Sequence, residues 1–267
     1  MKRFDDIIIA TDLDGTFLGK NSRVVPENIE AINYFKEHGG HITFSTGRSA
    51  GALRRVCPEA WEIANICGIL TNGSVLYDFK TQSVYDELFM PYQETVSLLK
   101  DTLEKFPDAG VRVGRGENYL ITNSTPYLEN EIKRFASITT HLSIDELPRD
   151  INKYVYVAPS EVLAPLKAYL DTQSLPSFAI FHSSPVLLEV CNVNATKGKR
   201  IPQLKSLVSH PAPVVYAVGD YNNDIDMLKC ADVAACPDNA GPEVKEICSV
   251  HLCHHDQGAI ADLIYKL

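Results

Sequence analysis

The sequence has no apolar run long enough to span a bilayer, and the run at residues 7–10 is too short for the core of a signal peptide. That predicts a cytoplasmic protein with no membrane partner. Positive charge is in deficit: 25 Lys and Arg stand against 34 Asp and Glu, for a formal net charge of -9. Such a balance argues against a surface built to neutralise a nucleic-acid backbone and leaves small molecules as the expected partners. Any Cys-x-x-Cys pair is also missing. The seven cysteines (Cys57, Cys67, Cys191, Cys230, Cys236, Cys248, Cys253) are odd in number and scattered, which predicts reduced thiols rather than a disulfide framework. No low-complexity segment or internal repeat marks the chain as disordered or repetitive. What remains, 267 residues at 45% hydrophobic and 22% charged, can bury a full core in one large domain or two modest ones.

Apolar, β-branched runs alternate with helical patterns at both ends of the chain. Residues 4–11 read as a strand, 27–38 as a helix and 41–45 as a strand. Pro26 opens that helix, Gly39-Gly40 closes it, and Ile29, Ile32 and Phe35 or Lys36 give one buried stripe. After Lys197 a helix to about 210 leads into a strand at 214–218, a helix at 225–230, an extended segment at 233–235 and a helix at 258–266. This order predicts parallel strands joined by crossover helices. The middle differs: helices at 94–106, 127–136 and 161–172 are mixed with short strands at 111–113, 119–122, 154–157, 178–181 and 186–190. It reads as an antiparallel α+β module, 78–187, set into an α/β domain formed by 1–77 and 188–267.

Asp12-Leu13-Asp14-Gly15-Thr16 follows directly on the first strand, so two carboxylates stand where that strand leaves the sheet, the usual ligand position in open α/β folds. Residues two apart on extended backbone point the same way, which lets Asp12 and Asp14 converge on one cation or phosphate. A calcium loop would need glycine and glutamate where Phe17 and Arg23 stand. The bland alternative is an ordinary acidic turn. Gly219-Asp220-Tyr221-Asn222-Asn223-Asp224 follows the strand at 214–218 in the same way, and Ile225 and Ala231 exclude the calcium loop there too. Two acidic clusters at neighbouring strand ends repel unless a cation neutralises them, and hard oxygen ligands select magnesium over zinc or copper. Thr46-Gly47-Arg48 offers a hydroxyl, a close backbone approach and a cation after a third strand, and Lys197 opens a helix as a point charge for phosphate oxygens. Taken singly, such residues are more often a surface lysine and a helix cap.

Together these four segments, in this order and over essentially the whole chain, resemble the haloacid dehalogenase (HAD) superfamily, in particular its IIB branch of Cof-type sugar phosphatases. Asn72-Gly73 matches the step that precedes the family's inserted cap. The resemblance implies a doubly wound, Rossmann-like α/β core with an inserted α+β cap that chooses the substrate. It implies a magnesium-dependent phosphatase of small phosphomonoesters, sugar phosphates foremost, acting through an aspartyl-phosphate, as a monomer or weak homo-oligomer. Asp12 would be the nucleophile and Asp14 the acid and base. Mg2+ would be held by Asp12, the backbone carbonyl of Asp14, Asp220 and, through waters, Asp224. Thr46 and Lys197 would neutralise the transferring group, with Gly47, Arg48, Asn72 and Asn223 toward the substrate. One departure is the loop after the fourth motif, where many relatives read close to Val-Gly-Asn-Ala and this chain has Ala235-Cys236-Pro237-Asp238-Asn239-Ala240.

Other clusters read as structural. Cys248, His251, Cys253, His254 and His255 match no paired zinc-ligand spacing. Arg112, Arg115, Glu117 and Tyr119 read as a solvated hairpin, and Trp61 and the stripe Tyr92, Val96, Leu99, Leu103, Phe106 as packing. Three competing functions remain: a phosphomutase of the same superfamily, a non-catalytic phosphosugar-binding protein, and a phospho-acceptor receiver domain. The receiver is shorter and carries adjacent acids at its first strand end, whereas Asp5-Asp6 precede this strand.

Overall fold

A computed structural model describes residues 2–115, 118–133 and 139–267, without the side chains of residues 115 and 118. The chain divides into two compact units, Met1–Asp86 with Thr196–Leu267, and Glu87–Ala195. The first is built on a five-stranded parallel sheet in the order Val250–Leu252, Val233–Pro237, Val214–Val218, Ile7–Thr11, His41–Phe44. The strand Ile7–Thr11 is apolar from Ile7 to Ala10 because both of its faces are covered. Ile9 packs on one face with Ile32 and Phe35 of the helix Pro26–Glu37 and Ile260 of Ala259–Lys266. Ile8 and Ala10 pack on the other with Leu204, Met227 and Val244 from three short helices. This is the doubly covered α/β architecture that the order of elements predicts, and the alternation of neighbouring residues between two cores is what a doubly covered strand requires.

In the helix Pro26–Glu37 the buried set is Asn28, Ala31, Ile32 and Phe35, with Ile29 only partly covered. Asn28 is fully buried because its amide is spent twice: Nδ2 donates to Phe17 O at 3.1 Å and Oδ1 accepts from Ala261 N at 3.0 Å. The helix expected to run to about 210 is shorter, a 3-10 turn at Gly198–Arg200 and a helix at Ile201–Ser206. A three-stranded sheet, Gly68–Leu70, Val75–Asp78, Ser83–Glu87, also belongs to this unit up to Asp86, its last residue before the junction.

The second unit is one six-stranded sheet in the order Phe178–Ser184, Leu187–Asn192, Lys153–Val157, Gly110–Arg115, Asn118–Asn123, Thr139–His141. Its pairs are antiparallel except the last. Leu98, Leu99, Leu163, Leu166 and Leu170 from the helices Tyr92–Lys105 and Ser160–Asp171 cover one face; Leu128 and Ile132 from Pro126–Lys133 pack on the other. The end of the helix expected at 127–136 lies outside the described residues. Both junctions fall later than the expected 77/78 and 187/188. Pairing is the reason: Ser83–Glu87 is bonded into the small sheet of the first unit, whereas Leu187–Asn192 pairs on both sides within the second.

Arg112 is no solvated hairpin residue: it sits half-buried within a strand, its guanidinium carbon 4.9 Å from the Tyr119 ring centroid. Of the same group, Glu117 and the side chain of Arg115 lie outside the described residues. Trp61 packs edge-on against Phe79 at 5.3 Å.

Candidate active site

Strand register gathers the chemistry at one edge of the parallel sheet. Thr11 pairs with Val218 on one side and Phe44 on the other, so Asp12, Gly219-Asp220 and Ser45-Thr46 leave the sheet together. The Asp12 N–H still donates to Val218 O at 2.8 Å, Ser45 N–H to Thr11 O at 2.8 Å and Thr46 N–H to Ile69 O at 2.8 Å, which locks these first loop residues to the scaffold.

Lys197 joins them from the second half of the chain. Its Nζ lies 2.6 Å from Asp12 Oδ1 and 2.6 Å from Asp224 Oδ1, and the three residues are 1%, 6% and 0% exposed. Burial pulls the lysine's pKa down; Asp12 and then Asp224 outweigh it and hold the proton on more firmly than in water. Asp224 Oδ2 accepts from the backbone N–H of Asp220 at 3.0 Å and of Tyr221 at 3.2 Å. Thr16 Oγ1 donates to Asp220 Oδ1 at 2.7 Å. Gly15 has φ +82°, and a Cβ there would come within 2.5 Å of Asp220 Oδ2, so only glycine lets the two acidic loops close on each other.

Oxygens of Asp12, Asp220 and Asp224 all lie within 4.8 Å of one another. Three carboxylates thus share one ammonium, and the imbalance shows in their acidity. Burial and then Asp224 raise the Asp12 carboxyl well above the usual aspartate range against the pull of Lys197; burial and then Asp224 push Asp220 up to about 6. An all-oxygen donor set with excess negative charge fits a hard divalent cation such as Mg2+. The sign of the pH effect follows. A raised carboxyl pKa means that the folded state keeps protons the unfolded chain has released, so in the metal-free protein rising pH favours unfolding across the window from about 4 to about 6. We expect the melting temperature in chelator to fall across that window and the fall to flatten with Mg2+ present; parallel curves with and without Mg2+ would contradict the assignment.

The Asp14 carboxylate is not among the clustered oxygens. Arg48 takes both of its atoms, Nε to Oδ2 at 2.7 Å and Nη2 to Oδ1 at 2.8 Å, so a metal contact from Asp14 would come from its backbone, as the family pattern implies. The Thr46 hydroxyl accepts from the Arg48 N–H at 3.2 Å, tying the motif that carries Arg48 into a turn. Asn72 is buried in a left-handed conformation at φ 55°, its N–H donates to Thr46 O at 3.0 Å, and its side chain lies against Gly47. Asn223 is half-buried in the 3-10 turn Asn222–Asp224. The structure therefore brings Asp12, Thr46, Gly47, Arg48, Asn72, Lys197, Asp220, Asn223 and Asp224 to one end of one sheet, and joins Asp14 to them through Arg48. A planar two-bond clamp fixes the acid's direction as well as its charge. Arg48→Ala is expected to lower kcat by about 10- to 100-fold through misplacement of Asp14, with Arg48→Lys recovering little; steady-state rates on an aryl phosphate check it.

Two contributors escaped the sequence reading. Asp226 accepts from Thr196 Oγ1 and, at 3.0 Å, from Gly198 N–H, so one carboxylate brackets Lys197 from both sides. Asn239, in the departing loop, donates from Nδ2 to Gly15 O at 2.8 Å. That loop is thus a brace for the nucleophile segment. Of the carboxyl-terminal Cys and His residues, Cys236 and His251 make their own contact at 3.7 Å, all seven cysteines are free thiols, and His254 and His255 group with Asp256 instead of with sulfur.

A parallel sheet carrying an acid-rich first loop, a lysine from a late helix and an aspartate loop after the neighbouring strand is the site of a phosphoryl-handling hydrolase. The family model for haloacid dehalogenase-like hydrolases matches residues 9–264, and the chain belongs to that family. Pyridoxal phosphate phosphatase YbhA of Escherichia coli (strain K12) is 24% identical over 97% of this chain and 97% of its own length. HMP-PP phosphatase of Yersinia enterocolitica is 25% identical over 90% of this chain and 86% of its own. Among solved structures, the HAD subclass IIB sugar phosphatase BT4131 superposes with a TM-score of 0.81 at 19% identity, over 97% of this chain and 98% of that one. With relatives of this kind the chain is an enzyme of the phosphatase type. No helix among the described residues is long and apolar enough to cross a membrane.

Proposed function

We propose that the protein is a Mg2+-dependent hydrolase of small phosphomonoesters, sugar phosphates foremost, in which Asp12 forms a transient aspartyl-phosphate. The observation that carries this reading is the Asp12 carboxylate held at 2.6 Å from Lys197 Nζ beside Asp220 and Asp224. When bound, a divalent cation would lie among Asp12, Asp220 and Asp224 and supply charge neutralisation to the phosphate and the attacking oxygen. An Asp12 carboxylate oxygen attacks phosphorus, the ester P–O bond breaks, and the leaving oxygen takes a proton from Asp14. Water then attacks the phosphorus of the acyl phosphate while Asp14 takes its proton, which restores Asp12. Arg48 occupies one lone pair on each Asp14 oxygen, which leaves the other to carry the transferred proton. Lys197, Thr46 and the local backbone hold the phosphoryl oxygens.

The second unit, 87–195, would choose among substrates, and the enzyme would work in the cytoplasm as a monomer or weak homo-oligomer. The relatives, phosphatases of pyridoxal phosphate and of HMP-PP, support a small phosphorylated substrate without identifying one for this chain. The test is phosphate release across a panel of phosphorylated sugars, nucleotides and cofactors, with Mg2+ and with chelator. We expect Mg2+-dependent release that is highest on sugar phosphates and lost in chelator. Isomerised sugar phosphate without free phosphate would replace hydrolysis by mutase chemistry, and binding without turnover would leave only a phosphosugar-binding protein.

A further inference from the structure

Among the described residues, the reaction leaves one three-residue cluster of ligating side chains unused. His254-His255-Asp256 follows the strand Val250–Leu252 and enters the 3-10 turn His255–Gln257. The Asp256 carboxylate lies near both imidazoles: His254 Nδ1 is 3.5 Å from Oδ2 and His255 Nε2 is 3.9 Å from Oδ1. One ligand atom from each residue falls within a 4.8 Å group.

Hydrogen bonding assigns the ring protons. His255 Nδ1 is 2.6 Å from Leu18 O, an atom that only accepts, so Nδ1 carries the proton and Nε2 of the neutral ring presents a lone pair. The backbone N–H of Asp256 donates to His254 Nδ1 at 3.3 Å, which makes that nitrogen a lone pair as well. A separation of 3.9 Å between Nε2 and Oδ1 is too long for a shared proton. The local counter-charge is Lys20, whose Nζ is 3.5 Å from Oδ2 on a side chain 81% exposed, and whose backbone N–H donates to Oδ1 at 2.5 Å. Two imidazole lone pairs and a carboxylate crowded together form a ready donor set for a cation.

We propose that His254 Nδ1, His255 Nε2 and the Asp256 carboxylate form a binding site for a divalent transition metal of the zinc class, separate from the all-oxygen site. Two nitrogens and one oxygen favour zinc, nickel or copper over magnesium. Tetrahedral ligands about 2.0 Å from zinc stand about 3.3 Å apart; His254 Nδ1 and His255 Nε2 lie 3.5 and 3.9 Å from the two oxygens of Asp256, and one ligand atom from each residue falls within 4.8 Å of the others, so metal binding draws the three side chains together. The weak Asp256 N–H bond to His254 is exchanged for the metal, and water fills the open position. A ligating histidine that gives its other N–H to a carbonyl is the usual second-layer pattern, and His255 on Leu18 has it. The site also touches the nucleophile segment: His255 N–H donates to Asn239 Oδ1 at 3.1 Å, and Asn239 holds Gly15 O.

The test is calorimetric titration of ZnCl2 into the full chain with Mg2+ in excess, so that the carboxylate site is occupied, repeated on His254→Gln and Asp256→Asn. Co2+ serves as a spectroscopic probe of nitrogen ligation. We expect one zinc equivalent that excess Mg2+ does not displace, visible Co2+ bands, and an affinity loss of at least about 10-fold in each variant. His254→Gln is the primary variant because His254 braces nothing in the nucleophile segment, and its melting curve reports whether it folds. Absence of zinc binding, or zinc held equally by wild type and both folded variants through cysteines or elsewhere, overturns the proposal. Neither readout depends on turnover, so it stands or falls apart from the phosphatase mechanism.

Discussion

Asp12→Asn should abolish turnover, by about 10^4-fold or more, while leaving the fold intact. The amide is isosteric, its carbonyl can still accept from Lys197, and Lys197 keeps Asp224 at 2.6 Å. Because burial and Asp224 both disfavour the ionised Asp12 carboxyl, removing that charge relieves repulsion in the metal-free protein. The variant should therefore melt no lower than wild type in chelator. Asp14→Asn should behave differently. With an aryl phosphate, whose leaving group needs no proton, phosphorylation should persist and hydrolysis of the phosphoenzyme should stall. Rapid-quench phosphate release separates the two variants; near-wild-type rates in Asp12→Asn would remove it as nucleophile.

Lys197→Met should have the largest effect on stability. The substitution keeps the stem but leaves Asp12 and Asp224, 6% and 0% exposed, without their shared cation. Breaking a buried pair from one side costs about 3–5 kcal/mol, which in a chain of this size lowers the melting temperature by roughly 10 °C. The loss is conditional. Protonation of the carboxyls at low pH, or Mg2+ at neutral pH, can replace the missing charge, so the gap from wild type should narrow under either condition. Scanning calorimetry in chelator and in Mg2+ checks both. A Lys197→Met protein as stable as wild type in chelator at neutral pH would mean that the carboxylates are not held ionised around it.

How much of this was legible in the chain depended on where the signal resides. Continuous apolar strands bracketed by helices announce a doubly covered parallel sheet, and acids placed directly after such strands announce the site, because strand ends coincide with loop chemistry. Junctions were not legible. Ser83–Glu87 carries exposed Val84 and Tyr85 and looks like part of the inserted module; only its pairing with the small sheet puts it in the first unit. Bracing residues were equally silent. Asp226 at a helix start reads as an ordinary first-turn acid, and Asn239 as a turn former, since their partners are backbone atoms far away in sequence. Asp256 beside two histidines carries no signal in sequence, since no paired zinc-ligand spacing includes it.

The central claim is that Asp12 carries the phosphoryl group, and trapping that species tests it most directly. Enzyme with Mg2+ and a sugar phosphate or aryl phosphate is acid-quenched during turnover, reduced with borohydride to convert an acyl phosphate to the alcohol, and mapped by mass spectrometry. We predict label at Asp12 alone, enriched in Asp14→Asn and absent from Asp12→Asn. Turnover with no label at Asp12 in either wild type or Asp14→Asn would contradict the account.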